Sequence, residues 1–88
     1  MFEFDPGKSA ANLDKHGIDF VTARLLWADD DRLEVEARSE SEPRRIVIGR
    51  IGEVSWTAIV TWRKGLIRII SVRRSRRSEV EQYERQDN

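Results

Sequence analysis

Ser55-Trp56-Thr57-Ala58-Ile59-Val60-Thr61-Trp62, then Arg63-Lys64-Gly65, then Leu66-Ile67-Arg68-Ile69-Ile70-Ser71-Val72 is the stretch that decides the fold. Both flanking runs are rich in β-branched and aromatic residues, which suit a pleated, half-buried surface. A connection this short forces two adjacent strands to pair antiparallel as a hairpin. Upstream, Arg45 to Arg50 reads as another strand, in which Gly49 marks a bulge or a close approach of another group. Before it, Leu33, Val35 and Ala37 alternate with Glu34 and Glu36 as in a strand with one wet face, and residues 38–43 read as a polar loop.

The ends of the chain read as helical. Phe2 and Phe4 flank Glu3 in a short extended start, and Asp5-Pro6 supplies an N-cap and a first helical residue. That helix runs through Lys15, and Gly17 takes the left-handed conformation that ends it. Asp19 caps a second helix whose Phe20, Ala23, Leu26 and Trp27 share a face, and Asp29-Asp30-Asp31 stops it. A last helix spans about Ser75 to Arg85, with Val80 and Tyr83 as its apolar contact and Ser75 or Ser78 as its cap. The expected fold is α+β and one domain over residues 1–88: two short N-terminal helices, a four-stranded, mostly antiparallel sheet and a C-terminal helix.

The 88-residue chain has no formal net charge, yet it is strongly polarised. Residues 1–42 sum to −6, 43–78 to +9 and 79–88 to −3; the middle segment holds ten of the sixteen Lys and Arg residues and a single acid, Glu53. Clustered Arg repels itself, so such a surface suits a polyanion or an acidic protein. Arg outnumbers Lys nine to one there, which favours forked partners, phosphate or carboxylate. A chain this small buries only about 60–65% of its unfolded surface, so function belongs on a surface or in a shallow cleft. There is no cysteine for a disulfide or thiolate metal site, and no apolar run long enough for a membrane span or signal peptide, which together suggest a cytoplasmic protein.

The candidate chemistry is arginine chemistry. If β pairing stays regular, Arg68 and Arg74 share one face of their strand, and Ser71 and Arg73 the other. Glu53 either handles a proton or orients an Arg. His16, the only histidine, either carries a proton or caps the carbonyls at a helix end. Lys15 either steers phosphates or pairs with an acid; Tyr83 either stacks on a base or packs in the core. Asp29-Asp30-Asp31 reads as a helix stop rather than a metal site, since consecutive acids cannot converge on one ion without an irregular backbone. Trp27, Trp56 and Trp62 either stack on bases or pack against the protein.

Phe4-Asp5, Lys8 and Asn12-Leu13-Asp14-Lys15-His16-Gly17-Ile18-Asp19-Phe20, followed by Ile48-Gly49-Arg50, Arg68-Ile69-Ile70-Ser71-Val72-Arg73-Arg74, Glu79 and Tyr83, give the chain a pattern that resembles the BrnT-type toxins over nearly its whole length. The resemblance implies a compact ribonuclease similar in fold to the RelE toxins, without cofactor or metal, neutralised by a BrnA-type antitoxin. DNA would be reached only indirectly, through the antitoxin complex. It also implies that Arg50, Arg73 and Arg74, with Glu53, form the catalytic set, holding a scissile RNA phosphate while the ribose 2′-hydroxyl attacks it. Arg68, Arg63, Lys15, His16 and Tyr83 would contact the RNA. Two alternatives stay open on the residues alone: a nucleic-acid-binding module without activity, and a protein-interaction domain whose Arg surface receives an acidic partner.

Overall fold

A computed structural model describes residues 1–38 and 42–86, so part of the loop expected over 38–43 lies outside the described residues. The sheet has five strands in the spatial order β1-β5-β4-β3-β2: β1 Phe2–Glu3, β2 Leu33–Ala37, β3 Arg44–Ile51, β4 Val54–Arg63 and β5 Leu66–Arg74. The four long strands form the expected antiparallel meander. The expectation of four strands is corrected by β1, which pairs parallel with β5, Phe2 opposite Ile67 and Glu3 opposite Arg68. The backbone N–H of Ile67 donates to the Met1 carbonyl at 2.8 Å. The extended start read at Phe2 to Phe4 holds this strand, but two residues are too few to show a period or to disclose that they join the sheet.

Helix α1, Pro6–His16, starts at Asp5, whose Oδ1 accepts from the N–H groups of Gly7 and Lys8 at 2.7 and 3.1 Å. It ends at Gly17, with φ of 80° and its N–H on the Leu13 carbonyl. Helix α2 is shorter than expected. It spans Phe20–Ala23 and tightens into a 3₁₀ segment, Arg24–Ala28. The three-residue period of that tighter winding stacks Phe20, Ala23 and Leu26 in one line, and all three are buried. Helix α3 spans Arg77–Arg85, two residues later than expected at its start; its N-cap position is Arg76, not Ser75 or Ser78. The capping group is the Glu79 carboxylate, which accepts from Arg76 N–H at 2.7 Å.

Each sheet face has its own cover. Val47, Ala58, Val60, Ile69 and Val72 pack beneath α1 and α2 with Ile18, Phe20, Ala23 and Leu26 as the core. Gly49 lies on this face, and a Cβ there would stand 3.1 Å from Leu26 Cδ2 and 3.3 Å from Asp29 Oδ2, so close approach rather than a bulge explains the glycine. A bulge does occur in β5. Ile59 pairs with Ser71 but Val60 pairs with Ile69, leaving Ile70 as the extra residue. Arg68 therefore sits opposite Thr61, on the same face as Ser71 and Arg73, and the expected sharing of a face by Arg68 and Arg74 is corrected.

The outer edge of β5 is closed twice. Beyond β1, the buried Asn12 side chain of α1 acts as a surrogate strand: its Nδ2 donates to the Val72 and Ile18 carbonyls at 2.9 and 2.8 Å, and its Oδ1 accepts from Val72 N–H at 3.2 Å. Three of the four hydrogen-bonding positions of the amide are thus filled. The C-terminal half of α1 is thereby anchored next to Arg73 and Arg74.

Candidate active site at one end of the sheet

The antiparallel register gathers the ends of β3, β4 and β5. Arg50 lies opposite Ser55, Gly49 opposite Trp56, and Trp56 opposite Arg74; the Ser75 N–H continues the ladder onto the Ser55 carbonyl at 3.1 Å. A turn of Gly52 and Glu53 joins β3 to β4 at this end, with Gly52 at φ of 63°. The N-terminus of α3, with Arg76 and Arg77, begins there as well. Five of the ten basic residues of the middle segment, Arg50, Arg73, Arg74, Arg76 and Arg77, thus gather at this end.

Of the two proposed phosphate holders on the α3 face, Arg50 and Arg73, Arg50 is the more available. Its guanidinium lies over the Tyr83 ring, 5.2 Å from the centroid, with Nη2 3.3 Å from Glu84 Oε2 and its side chain 45% exposed. Its backbone N–H donates to Asp29 Oδ2 at 2.8 Å. The same oxygen accepts from Tyr83 Oη at 2.8 Å, while Asp29 Oδ1 accepts from Asp31 N–H at 2.9 Å. Burial acts to raise the Asp29 carboxyl, but these hydrogen bonds outweigh it and hold it below the usual carboxylate range. Burial, then the bond to Asp29, pushes the Tyr83 phenol up to about 12. Asp29, which in the sequence read only as a helix stop, is the hub that fixes Arg50 and Tyr83 together.

Arg73 is held differently. Its Nη1 and Nη2 meet Glu79 Oε1 and Oε2, both at 2.8 Å, and Nη1 also reaches the Arg74 carbonyl at 3.2 Å. Glu79 Oε1 also accepts from Thr57 Oγ1 at 3.1 Å. Behind Thr57, Ser55 Oγ donates to Ser75 Oγ at 2.8 Å, and Ser75 Oγ lies 2.8 Å from Thr57 Oγ1. One proton per hydroxyl gives this chain a single direction, from Ser55 through Ser75 and Thr57 to the carboxylate. The Arg73 guanidinium first, against the opposing effect of burial, and then the Arg76 N–H hold Glu79 down at about 2. Glu79 raises the Arg73 guanidinium in return.

The other proposed residues are distributed around the sheet. Arg74 is exposed on the opposite face from Arg73, its guanidinium 5.6 Å from the Trp56 ring centroid. Glu53 is exposed in its turn and makes no hydrogen bond or ion pair with the described residues. Lys15 and His16 close the last turn of α1, Lys15 exposed and His16 half-buried. Tyr83 is buried under Arg50, so its ring serves as a platform for that arginine. Arg63 and Arg68 stand at the far end of the sheet, sharing Glu3 at 4.0 and 3.4 Å. Arg68 pairs with Thr61 and Arg73 with Thr57, four residues apart on β4, a separation of about 13 Å at strand rise.

Among the described residues no cluster of three or more His, Asp or Glu side chains is arranged to hold a metal ion, and no helix is long and apolar enough to cross a membrane. A search of curated proteins found no match. The family model described as the ribonuclease toxin BrnT of type II toxin-antitoxin systems matches residues 4–79, which takes in the Asn12 anchor, Asp29, Arg50, the β5 arginines and Glu79. This chain belongs to the BrnT family of ribonuclease toxins, whose type II systems imply an RNA target and an antitoxin partner.

Proposed function

We propose that this chain is a metal-independent endoribonuclease, neutralised by a BrnA-type antitoxin, whose active site is the Arg50 end of the sheet. Family membership supports ribonuclease action, and the observation that carries the location is the half-exposed Arg50 guanidinium, seated on Tyr83 beside the Glu53 turn. In the reaction, a ribose 2′-oxygen attacks the adjacent phosphorus, the 5′-oxygen departs and takes a proton from solvent water to become a hydroxyl, and a 2′,3′-cyclic phosphate forms. Negative charge grows on the phosphoryl oxygens in the transition state. A preorganised cation aimed at that charge lowers the barrier more than one aimed at the ground state.

Arg50 takes the non-bridging oxygens in this reading. Arg74, supported on Trp56, holds a neighbouring phosphate from the other face of the sheet's end. Glu53, the unpaired carboxylate at this end, accepts the 2′-hydroxyl proton. Arg73 is a positioning residue: bound to Glu79 and to the Arg74 carbonyl, it locks the exit of β5 against α3 and so fixes Arg74 and Tyr83.

The test is incubation of the antitoxin-free chain with an end-labelled RNA in EDTA, beside an Arg50→Ala variant. Scission by the parent with cyclic-phosphate or 3′-phosphate ends, reduced about 100-fold or more in the variant, is the expected outcome. RNA left intact by a folded chain that binds it, or scission unaffected by the substitution, overturns the reading.

A further inference from the structure

The face of the sheet that carries α3 is only partly covered by it. Cross-strand register divides that face into rows. Ile48, Thr57 and Arg73 form one row beneath α3, with Ile48 and Thr57 fully buried. Thr61 lies opposite Arg68, and Arg44 precedes Arg45 in the strand beside it, so the outer row is cationic. Between them, Val35 pairs with Ile46, Ile46 with Ile59, and Ile59 with Ser71. These four make a straight track across all four antiparallel strands. Val35 is 40% exposed, and Ile46, Ile59 and Ser71 are only half-buried.

The result is a trough with an aliphatic floor. One wall is α3; the other is the row of Arg44 and Arg68, extended by Arg63 on the hairpin. The two flanking rows are about 13 Å apart, enough for one strand or one helix of about 10–12 Å diameter. The outer cations are loosely held. Arg44 Nη2 is 3.7 Å from Glu42, while Arg63 and Arg68 share the single carboxylate of Glu3 at 4.0 and 3.4 Å. Arg44 Nε is buried and has no hydrogen-bond partner among the described residues. The Arg44 side chain as a whole is 38% exposed, so its outer nitrogens can take an arriving carboxylate.

We infer that this trough is the seat of an acidic, amphipathic segment of the antitoxin, its apolar side on Val35, Ile46 and Ile59 and its carboxylates on Arg44, Arg63 and Arg68. The inference rests on the family's type II character, which implies such a partner. Charge selects the occupant. A second copy of this chain would bring cationic rim against cationic rim across a twofold axis. Single-stranded RNA seeks aromatic platforms, and the floor of this track is aliphatic. A protein segment with acids beside apolar residues matches both the floor and the rim. Because α3 separates the trough from the Arg50 end, neutralisation works here through the partner's bulk beside the site, not through replacement of the scissile phosphate.

The chain contains no cysteine, so a Val35→Cys variant reports the trough through one thiol. Its rate of maleimide labelling is measured alone, with RNA, and in complex with a purified BrnA-type antitoxin whose own thiols are blocked. Leu13→Cys, on an exposed position of α1, is the reference. Labelling at Val35→Cys slowed roughly tenfold or more by the antitoxin and unchanged at Leu13→Cys is the expected result. In parallel, Arg44→Glu weakens antitoxin binding roughly tenfold or more while the free variant still cuts RNA as the parent does. Full labelling of Val35→Cys in a stable complex overturns the proposal. So does protection by RNA alone, or protection that rises with the concentration of the chain itself. The cleavage assay reads the ribonuclease reading separately, so either can fail without the other.

Discussion

The Arg73 guanidinium and the Glu79 carboxylate face each other as two parallel forks, Nη1 to Oε1 and Nη2 to Oε2, both at 2.8 Å. Their side chains are 23% and 12% exposed, so water screens the pair only in part. It joins the last residues of β5 to the first turn of α3, and with the Arg76 N–H and Thr57 hydroxyl it leaves the carboxylate no idle oxygen.

Acid should release this pair. Glu79 is held down from 4.5 to about 2, so its contribution to stability is complete above pH 4.5 and is lost as pH falls through about 2. We expect about 2–3 kcal/mol at neutral pH. Glu79→Gln removes that dependence, so the difference in unfolding free energy between parent and variant, from urea melts, narrows steadily from pH 5 to pH 2. A constant difference over this range contradicts the assignment.

Tyr83 is the chain's only tyrosine, so its titration can be followed without interference. With the phenol pushed up to about 12, ultraviolet absorbance of the phenolate should appear roughly two pH units above that of a free tyrosine. The stabilising contribution is present below pH 10 and disappears as pH rises through about 12. Asp29→Asn removes a charge from beside the phenol and should bring the transition down; an unmoved transition would show that burial alone sets it.

Asn12→Ala should cost about 2–4 kcal/mol, since three buried backbone groups, Val72 N–H, Val72 C=O and Ile18 C=O, lose their partner at once. Amide exchange at Val72 reports it directly: protection there should fall by more than protection in β3. Equal loss throughout the sheet would mean that the side chain is not a local closure of the β5 edge.

Gly49→Ala places a methyl 3.1 Å from Leu26 Cδ2 and 3.3 Å from Asp29 Oδ2. Strain of about 1–3 kcal/mol follows from crowding at this point. The substitution should also loosen Arg50, the next residue, whose N–H depends on the same Asp29 oxygen. Thermal melts measure the first effect and RNA cleavage rates the second; neither changing would remove the close approach as the reason for the glycine.

Much of the architecture was legible because each long element carries its own period. The 55–62 and 66–72 runs, the Asp5-Pro6 start and Gly17 stop of α1, and the buried face of Phe20, Ala23 and Leu26 all depend on neighbours a few residues away. Two features were hidden for physical reasons. β1 is too short for a pattern, and Ile69-Ile70 satisfies burial in either register, so apolarity could not disclose which residue is extra. The site was readable as a charge cluster but not as a geometry. Glu79 carries a faint signal, an acid three residues after the residue that opens α3; the meeting of Asp29, Arg50 and Tyr83 spans up to 54 positions and leaves no local trace.

The bulge at Ile70 also sets a rule of parity. Arg68 and Arg73 are an odd number of residues apart, and in a strictly alternating strand an odd separation means opposite sides. One residue outside the count turns odd into even. Pairing the same five steps without the bulge would swing Arg68 towards the side where Phe2, Phe20 and Trp27 pack, a place with no room for a charge. The residue held out of the ladder, and not the spacing by itself, is therefore what keeps both cations on the same side.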